Sequence, residues 1–174
     1  TGQMIISGIP GALNNLIISN THSTGVSAPS SWTVDSNFVV TQYATFNAGS
    51  NTYTVGGNLE CDGVLNGGTS TIAMTSATAE LSVSSETVFN NLTITASGIL
   101  TPQTDFRVAG NFTNNGDYDG SLAVLIMTGN TAGTITGTTT PSTIQQLTIE
   151  KTGAAVVSLN VNVSAVLFLN IFSG

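Results

Sequence analysis

The sequence predicts an all-β chain wound as a parallel β-helix, a solenoid of roughly eight coils forming one domain over residues 1–174. Three observations carry this prediction. The first is internal repetition: YTVGGNLECDGVLNGGTSTIAM, starting at Tyr53, lies without a gap over FRVAGNFTNNGDYDGSLAVLIM, starting at Phe106. After a two-residue insertion the match resumes, FNNLTIT ending at Thr95 against IQQLTIE ending at Glu150, and the opening stretch from Met4 to Ser19 corresponds to residues 134–150. Self-similarity at a long period marks a stacked array, in which each unit buries its apolar side against its neighbours. The second is composition: 40% of the chain is hydrophobic and only 6% charged, with abundant Thr, Ser, Asn and Gly. Straight-chain helix formers are scarce, and the β-branched residues that dominate lose rotamer freedom in a helix but pack well on a pleated surface. The third is spacing. Phe106, Ile126 and Leu147 sit in apolar triplets 20 and 21 residues apart, the length of one coil of a three-faced solenoid. The interval from Leu16 to Leu92 exceeds that from Leu92 to Leu147 by 21 residues, a whole coil, which a solenoid accommodates and a closed barrel does not.

Taken along the chain, alternating apolar and polar residues between Gly, Asn, Ser or Asp turns predict short strands. The first two lie near 4–6 and 16–19, followed by 32–34, 38–41 and 43–46 around Trp32, Phe38 and Phe46. The first long repeat supplies 53–55, 58–59, 71–74, 81–83 and 92–95. The second supplies 106–108, 111–113, 123–127, 134–136 and 147–150, and a truncated third copy gives 156–159, 161–163 and 166–170. Asn66-Gly67 and Asn115-Gly116 are the clear hairpin signals, and neither joins two long alternating arms. The pattern therefore favours parallel winding over an antiparallel sandwich. Both termini fall inside the repeat pattern, so the chain reads as a fragment of a longer array or a piece with processed ends.

Charge and cysteine usage narrow the function. The formal net charge is −7 and Arg107 and Lys151 are the sole cations, so there is no basic surface to neutralise phosphates. Nucleic acid is excluded as a partner. Cys61 is alone and reads as a small core residue. No apolar run reaches the length of a spanning helix, and 165–172 is interrupted by Asn170. A mildly acidic, neutral-polar surface suits life outside the cell.

The phrases NNLTI, TVGGNL, VAGNFTNNG and QQLTIEKTG resemble the repeats of very large secreted surface proteins of Bacteroidota, exported by the type IX secretion route and described as adhesins or parallel β-helix repeat proteins. The resemblance runs from Gln3 onward. It implies a right-handed, extracellular β-helix in an adhesin, filament or cell-surface structural protein, with Leu92, Ile94, Val108, Gly110 and Phe112 as core and turn positions and no catalytic residue. Residues 21–50, and Ala165 in place of Gly110, depart from the phrases, so irregular coils are expected there.

Each residue with chemical potential has a structural reading beside it. Asn115, Asp117 and Asp119 match the start of a calcium loop, yet Ile126 stands where such a loop needs a bidentate Glu. A polar turn is the simpler reading, and calcium is the one cofactor the sequence would admit. Glu60 with Asp62, or Asp117 with Asp119, share a strand face, but His22 is the only histidine and sits in a Ser/Thr-rich loop, so catalysis is not expected. Thr-x-Thr at 52–54, 134–136 and 138–140 raises an ice-binding reading but does not recur once per coil, which leaves Thr as a good outward strand residue. Asn91, Asn111 and Asn162 stand in Asn-x-Ser/Thr and read as coil-corner asparagines. Trp32, Tyr43 and Tyr53 could stack on sugars if exposed, with core or coil-end packing as the simpler reading. The sequence thus leads to an extracellular structural or adhesive segment, a stiff rod without catalysis. Its expected partners are coils or subunits of its own kind end to end, and surface glycans. A carbohydrate-binding or polysaccharide-cleaving β-helix is the alternative.

Overall fold

The structure is a computed structural model that describes residues 4–5, 11–138, 144–161 and 168–172. Strands succeed one another coil by coil. The first three coils are β1 (Met4–Ile5), β2 (Ala12–Leu13) and β3 (Leu16–Ile18); β4 (Val26–Ser27), β5 (Trp32–Val34) and β6 (Phe38–Val40); β7 (Thr45–Asn47), β8 (Thr52–Val55) and β9 (Leu59–Cys61). The next three are β10 (Val64–Asn66), β11 (Thr71–Met74) and β12 (Ala79–Val83); β13 (Val88–Phe89), β14 (Asn91–Ile94) and β15 (Ile99–Pro102); β16 (Phe106–Val108), β17 (Phe112–Asn114) and β18 (Asp117–Tyr118). Then come β19 (Leu125–Gly129) with β20 (Gly133–Gly137), β21 (Gln146–Lys151) with β22 (Val157–Leu159), and β23 (Phe168–Ile171).

As far as β20 each strand pairs with the one three places before it, and from β21 with the one two places before it, always parallel, giving three sheets. Sheet I runs β1-β4-β7-β10-β13-β16-β19-β21-β23, sheet II β2-β5-β8-β11-β14-β17-β20-β22 and sheet III β3-β6-β9-β12-β15-β18. The expected all-β solenoid is thus the fold, with six three-stranded coils followed by two in which strands of sheets I and II alone are formed among the described residues. At the usual spacing of about 4.8 Å between strands, the nine strands of sheet I make a shaft about 40 Å long.

The bore is filled by side chains at every second position of each strand. In sheet II, Trp32, Tyr53, Ile72, Leu92, Phe112 and Ile135 form one unbroken inward column. Sheet III contributes Phe38, Leu59 and Leu81 in the same way. Two aromatic clusters interrupt the aliphatic stack. Phe46 lies against Trp32, Phe38 and Tyr53 with centroids 5.6, 5.3 and 5.4 Å away, and Phe106, Phe112 and Tyr118 meet from the three faces of one coil.

Asparagines close the corners. Asn15, Asn37 and Asn58 each stand just before a strand of sheet III, and their Oδ1 atoms accept the backbone N–H of Asn37, Asn58 and Glu80 one coil further on. Asn91 and Asn111 do the same for Asn111 and Thr134 at the entry to sheet II. Such amides satisfy N–H groups that the bend removes from the ladder, which accounts for the abundance of Asn. The corner reading of Asn91 and Asn111 holds; Asn162 lies outside the described residues.

The inserted-coil reading of the Leu16–Leu92 interval and the irregularity expected over residues 21–50 need correction. The long repeat does not return to the same face: Tyr53 and Met74 belong to sheet II, whereas Phe106 and Met127 belong to sheet I, all four buried. Likewise Leu16, Leu92 and Leu147 start or enter strands of sheets III, II and I, so the interval of 76 residues does not mark a simple inserted coil. All three faces use one strand-and-turn pattern, so a phrase can recur after a non-integral number of coils with its inward positions preserved. Residues 21–50, expected to be irregular, carry β4 to β7 in register with their neighbours. The expected strand at 166–170 is matched over residues 168–170 by β23; residues 162–163 of the other expected strand, and Ala165, fall outside the described residues.

Candidate functional site

Seven of the nine carboxylates gather on one side of the shaft. Glu60, Glu80 and Asp117 stand on sheet III, and Asp62, Glu86, Asp105 and Asp119 on the corner where it turns into sheet I; all seven are exposed. Asp35 and Glu150 lie elsewhere. Of the two cations only Arg107 reaches this side. Lys151 is buried, its Nζ donating to the carbonyl of Ala109, and burial lowers its pKa. Arg107 Nη1 donates to the Ser85 carbonyl at 3.4 Å.

On that corner three successive turns enclose a cleft of about 410 Å³, lined by Gln42 and Tyr43, Asp62 and Gly63, and Ser85 and Glu86. The turn from Thr41 to Ala44 is closed by Ala44 N–H donating to the Thr41 carbonyl at 3.0 Å. Tyr43 is its third residue and has φ +67°, the left-handed conformation that this place in a turn normally gives to Gly. Its ring is 77% exposed and leaves the shaft. Gly63, facing it on the next coil, has no room for a side chain, because a Cβ would run into the carbonyls of Thr41 and Ala44. The two turns are therefore pressed together at the backbone, and the cleft is fixed in shape by main-chain contacts.

The structure separates the three aromatic residues considered for sugar stacking. Trp32 is 5% exposed and Tyr53 1%, so neither ring can meet a ligand; both are bore residues. The Tyr53 hydroxyl donates to the Ala48 carbonyl at 2.7 Å, and burial raises its pKa above the ordinary 10.0. Only Tyr43 keeps a free face. Core packing, the simpler reading from the sequence, holds for Trp32 and Tyr53 and fails for Tyr43, whose place in a turn the strand pattern does not reveal.

Asn115, Asp117 and Asp119 point outward at alternate positions, as the period of two requires. The carboxylates serve the local chain: Asp117 Oδ1 accepts the Tyr118 N–H and Asp119 Oδ1 the Ser121 N–H. This is the geometry of a polar turn. No group of three or more His, Cys, Asp or Glu side chains converges among the described residues. His22 Nδ1 lies 2.9 Å from Thr24 Oγ1 and organises its own turn. Cys61 is buried, with the Thr87 hydroxyl donating to its Sγ at 3.1 Å, and burial pushes the thiol pKa up.

The outer side of sheet II holds a feature that the sequence spacing concealed. Thr33, Thr54, Ala73, Thr93, Thr113 and Thr136 occupy one column. Coil lengths vary from 18 to 24 residues between paired positions, so this column has no fixed period in the sequence. Residues 139–140 of the third Thr-x-Thr triplet lie outside the described residues. Comparison of the chain with protein-family profiles, curated proteins and solved structures finds no match.

Proposed function

We propose that this chain is a structural or adhesive segment of an extracellular, cell-surface protein, a stiff rod that performs no reaction and joins coils of its own kind end to end. The observation that carries the reading is the contrast between shaft and end. Along the shaft large apolar side chains are buried in continuous columns, whereas at the last coils Val156, Leu159, Phe168, Leu169, Ile171 and Phe172 are all at least 50% exposed. They belong to or adjoin β22 and β23, the outermost strands of sheets II and I. An edge strand with free N–H and C=O groups and apolar side chains is a template for another parallel strand. Another coil of the same kind would pair there in the same parallel register. The acidic side and scarcity of cations suit an extracellular setting, and the resemblance of the repeat phrases to type IX-secreted adhesins of Bacteroidota points the same way.

Two measurements test this. Sedimentation of the chain over a wide concentration range is expected to show linear oligomers that Phe168→Asp with Ile171→Asp abolishes. Immunoblotting of cell fractions is expected to place the native polypeptide at the surface or in the medium. A monomer at every concentration, together with a cytosolic location, would sink the proposal.

A further inference from the structure

We infer that the Tyr43 cleft is a binding site for a neutral saccharide, independent of whatever joins the ends of the rod. Three features of the cleft lead there. Its wall carries an aromatic ring that is mostly uncovered: Tyr43 is 77% exposed, whereas the other aromatic side chains of the first six coils fill the bore. The ring is held at a backbone angle, φ +67°, that Gly would adopt without strain, so the residue costs stability and returns little packing. The surroundings mix apolar and hydrogen-bonding groups: beside Val64 and the Tyr43 ring, the Gln42 amide, the Ser85 hydroxyl and the carboxylates of Asp62 and Glu86 line about 410 Å³.

A flat ring beside polar acceptors is the arrangement that a pyranose fits. Its C–H face lies on the aromatic face while its hydroxyls donate to carboxylate and amide oxygens. Charge selects within the saccharides. Asp62 and Glu86 supply two negative charges, and Arg107, held on the Ser85 carbonyl at the rim, supplies one positive charge. Uronic and sialic acids would be repelled, and neutral sugars accepted. The cleft spans turns of three coils, about 10 Å at the strand spacing, which matches a short stretch of glycan rather than a buried monosaccharide.

Affinity electrophoresis of the whole chain through gels containing neutral mannan, galactan or β-glucan, with polygalacturonate as the acidic counterpart, tests the site. At least one neutral polymer is expected to retard the protein and polygalacturonate is not. Tyr43→Gly is expected to weaken retardation by about tenfold, the loss of one stacked face, while Tyr43→Phe retains it. Because the ring is mostly exposed and Gly adopts φ +67° without strain, Tyr43→Gly is expected to fold at least as well as the parent, and a melting curve on the same sample checks that. Retardation by none of the neutral polymers, equal retardation of parent and Tyr43→Gly, or stronger binding to polygalacturonate would each overturn the inference.

Discussion

Phe46 is the point at which the packing of this rod can be tested most sharply. Its ring is fully buried and touches three others, Trp32, Phe38 and Tyr53, at centroid distances of 5.3 to 5.6 Å. Truncation in Phe46→Ala removes a buried phenyl group, worth about 3–5 kcal/mol with its cavity term. The lost edge-on ring pairs, about 0.5–1.5 kcal/mol each, place the value at the upper end of that range. Phe46→Leu keeps most of the volume and loses only the ring geometry, so about 1–1.5 kcal/mol is expected. Coils interact mainly with their nearest neighbours, so the damage should be local. Chemical denaturation gives the magnitude, and hydrogen exchange followed by mass spectrometry gives the place. Protection should fall in β5 to β9 and persist around the Phe106, Phe112 and Tyr118 cluster, which shares no ring contact with Phe46. A cost below about 1.5 kcal/mol for Phe46→Ala, or an equal loss of protection in both clusters, would refute the stacked-column account.

Three further outcomes are expected. Tyr118→Phe should stabilise the protein by about 1 kcal/mol in denaturant titrations, because the Tyr118 hydroxyl is buried without a hydrogen-bond partner and its removal relieves that cost. Gly63→Ala should cost about 2 kcal/mol or more, since the new methyl group meets two backbone carbonyls that cannot turn aside. Stability should respond to alkali in two opposed ways. Lys151, whose amine is depressed by burial, binds a proton less readily folded than unfolded, so its penalty is present at neutral pH and fades as pH rises towards 10.5. Tyr118, with its pKa raised chiefly by burial and then by Asp119 and Asp105, and Tyr53, raised by burial, stay protonated in the fold while the unfolded chain ionises above 10.0. Above that pH the unfolded state binds fewer protons and stability falls. Circular dichroism and phenolate absorbance recorded together on Tyr43→Phe, which removes the exposed phenol, should show Tyr53 and Tyr118 ionising only as the sheets are lost; phenolate absorbance while the fold is intact would contradict their burial.

The sequence alone determined that the chain is β, that it stacks parallel coils of about 20 residues, and which side of each strand faces inward. These properties are local: alternation of apolar and polar residues is written in neighbouring positions, and Phe106, Met127 and Leu147 are buried as that alternation requires. Strands β2, β4, β10, β13, β15 and β18 escaped prediction because most are two or three residues long, and their pairing rather than their own propensity makes them strands. The tertiary structure decided what depends on how the coils are phased. It assigned the repeated phrases to different faces, collected Thr33 and Thr136 into one column across coils of unequal length, and brought Tyr43, Asp62 and Glu86 to one corner. It also separated Tyr43 from Trp32 and Tyr53, which the sequence could not do. Whether an aromatic ring fills the bore or meets solvent depends on the direction in which its turn leaves the coil, and at Tyr43 a left-handed backbone angle sets that direction.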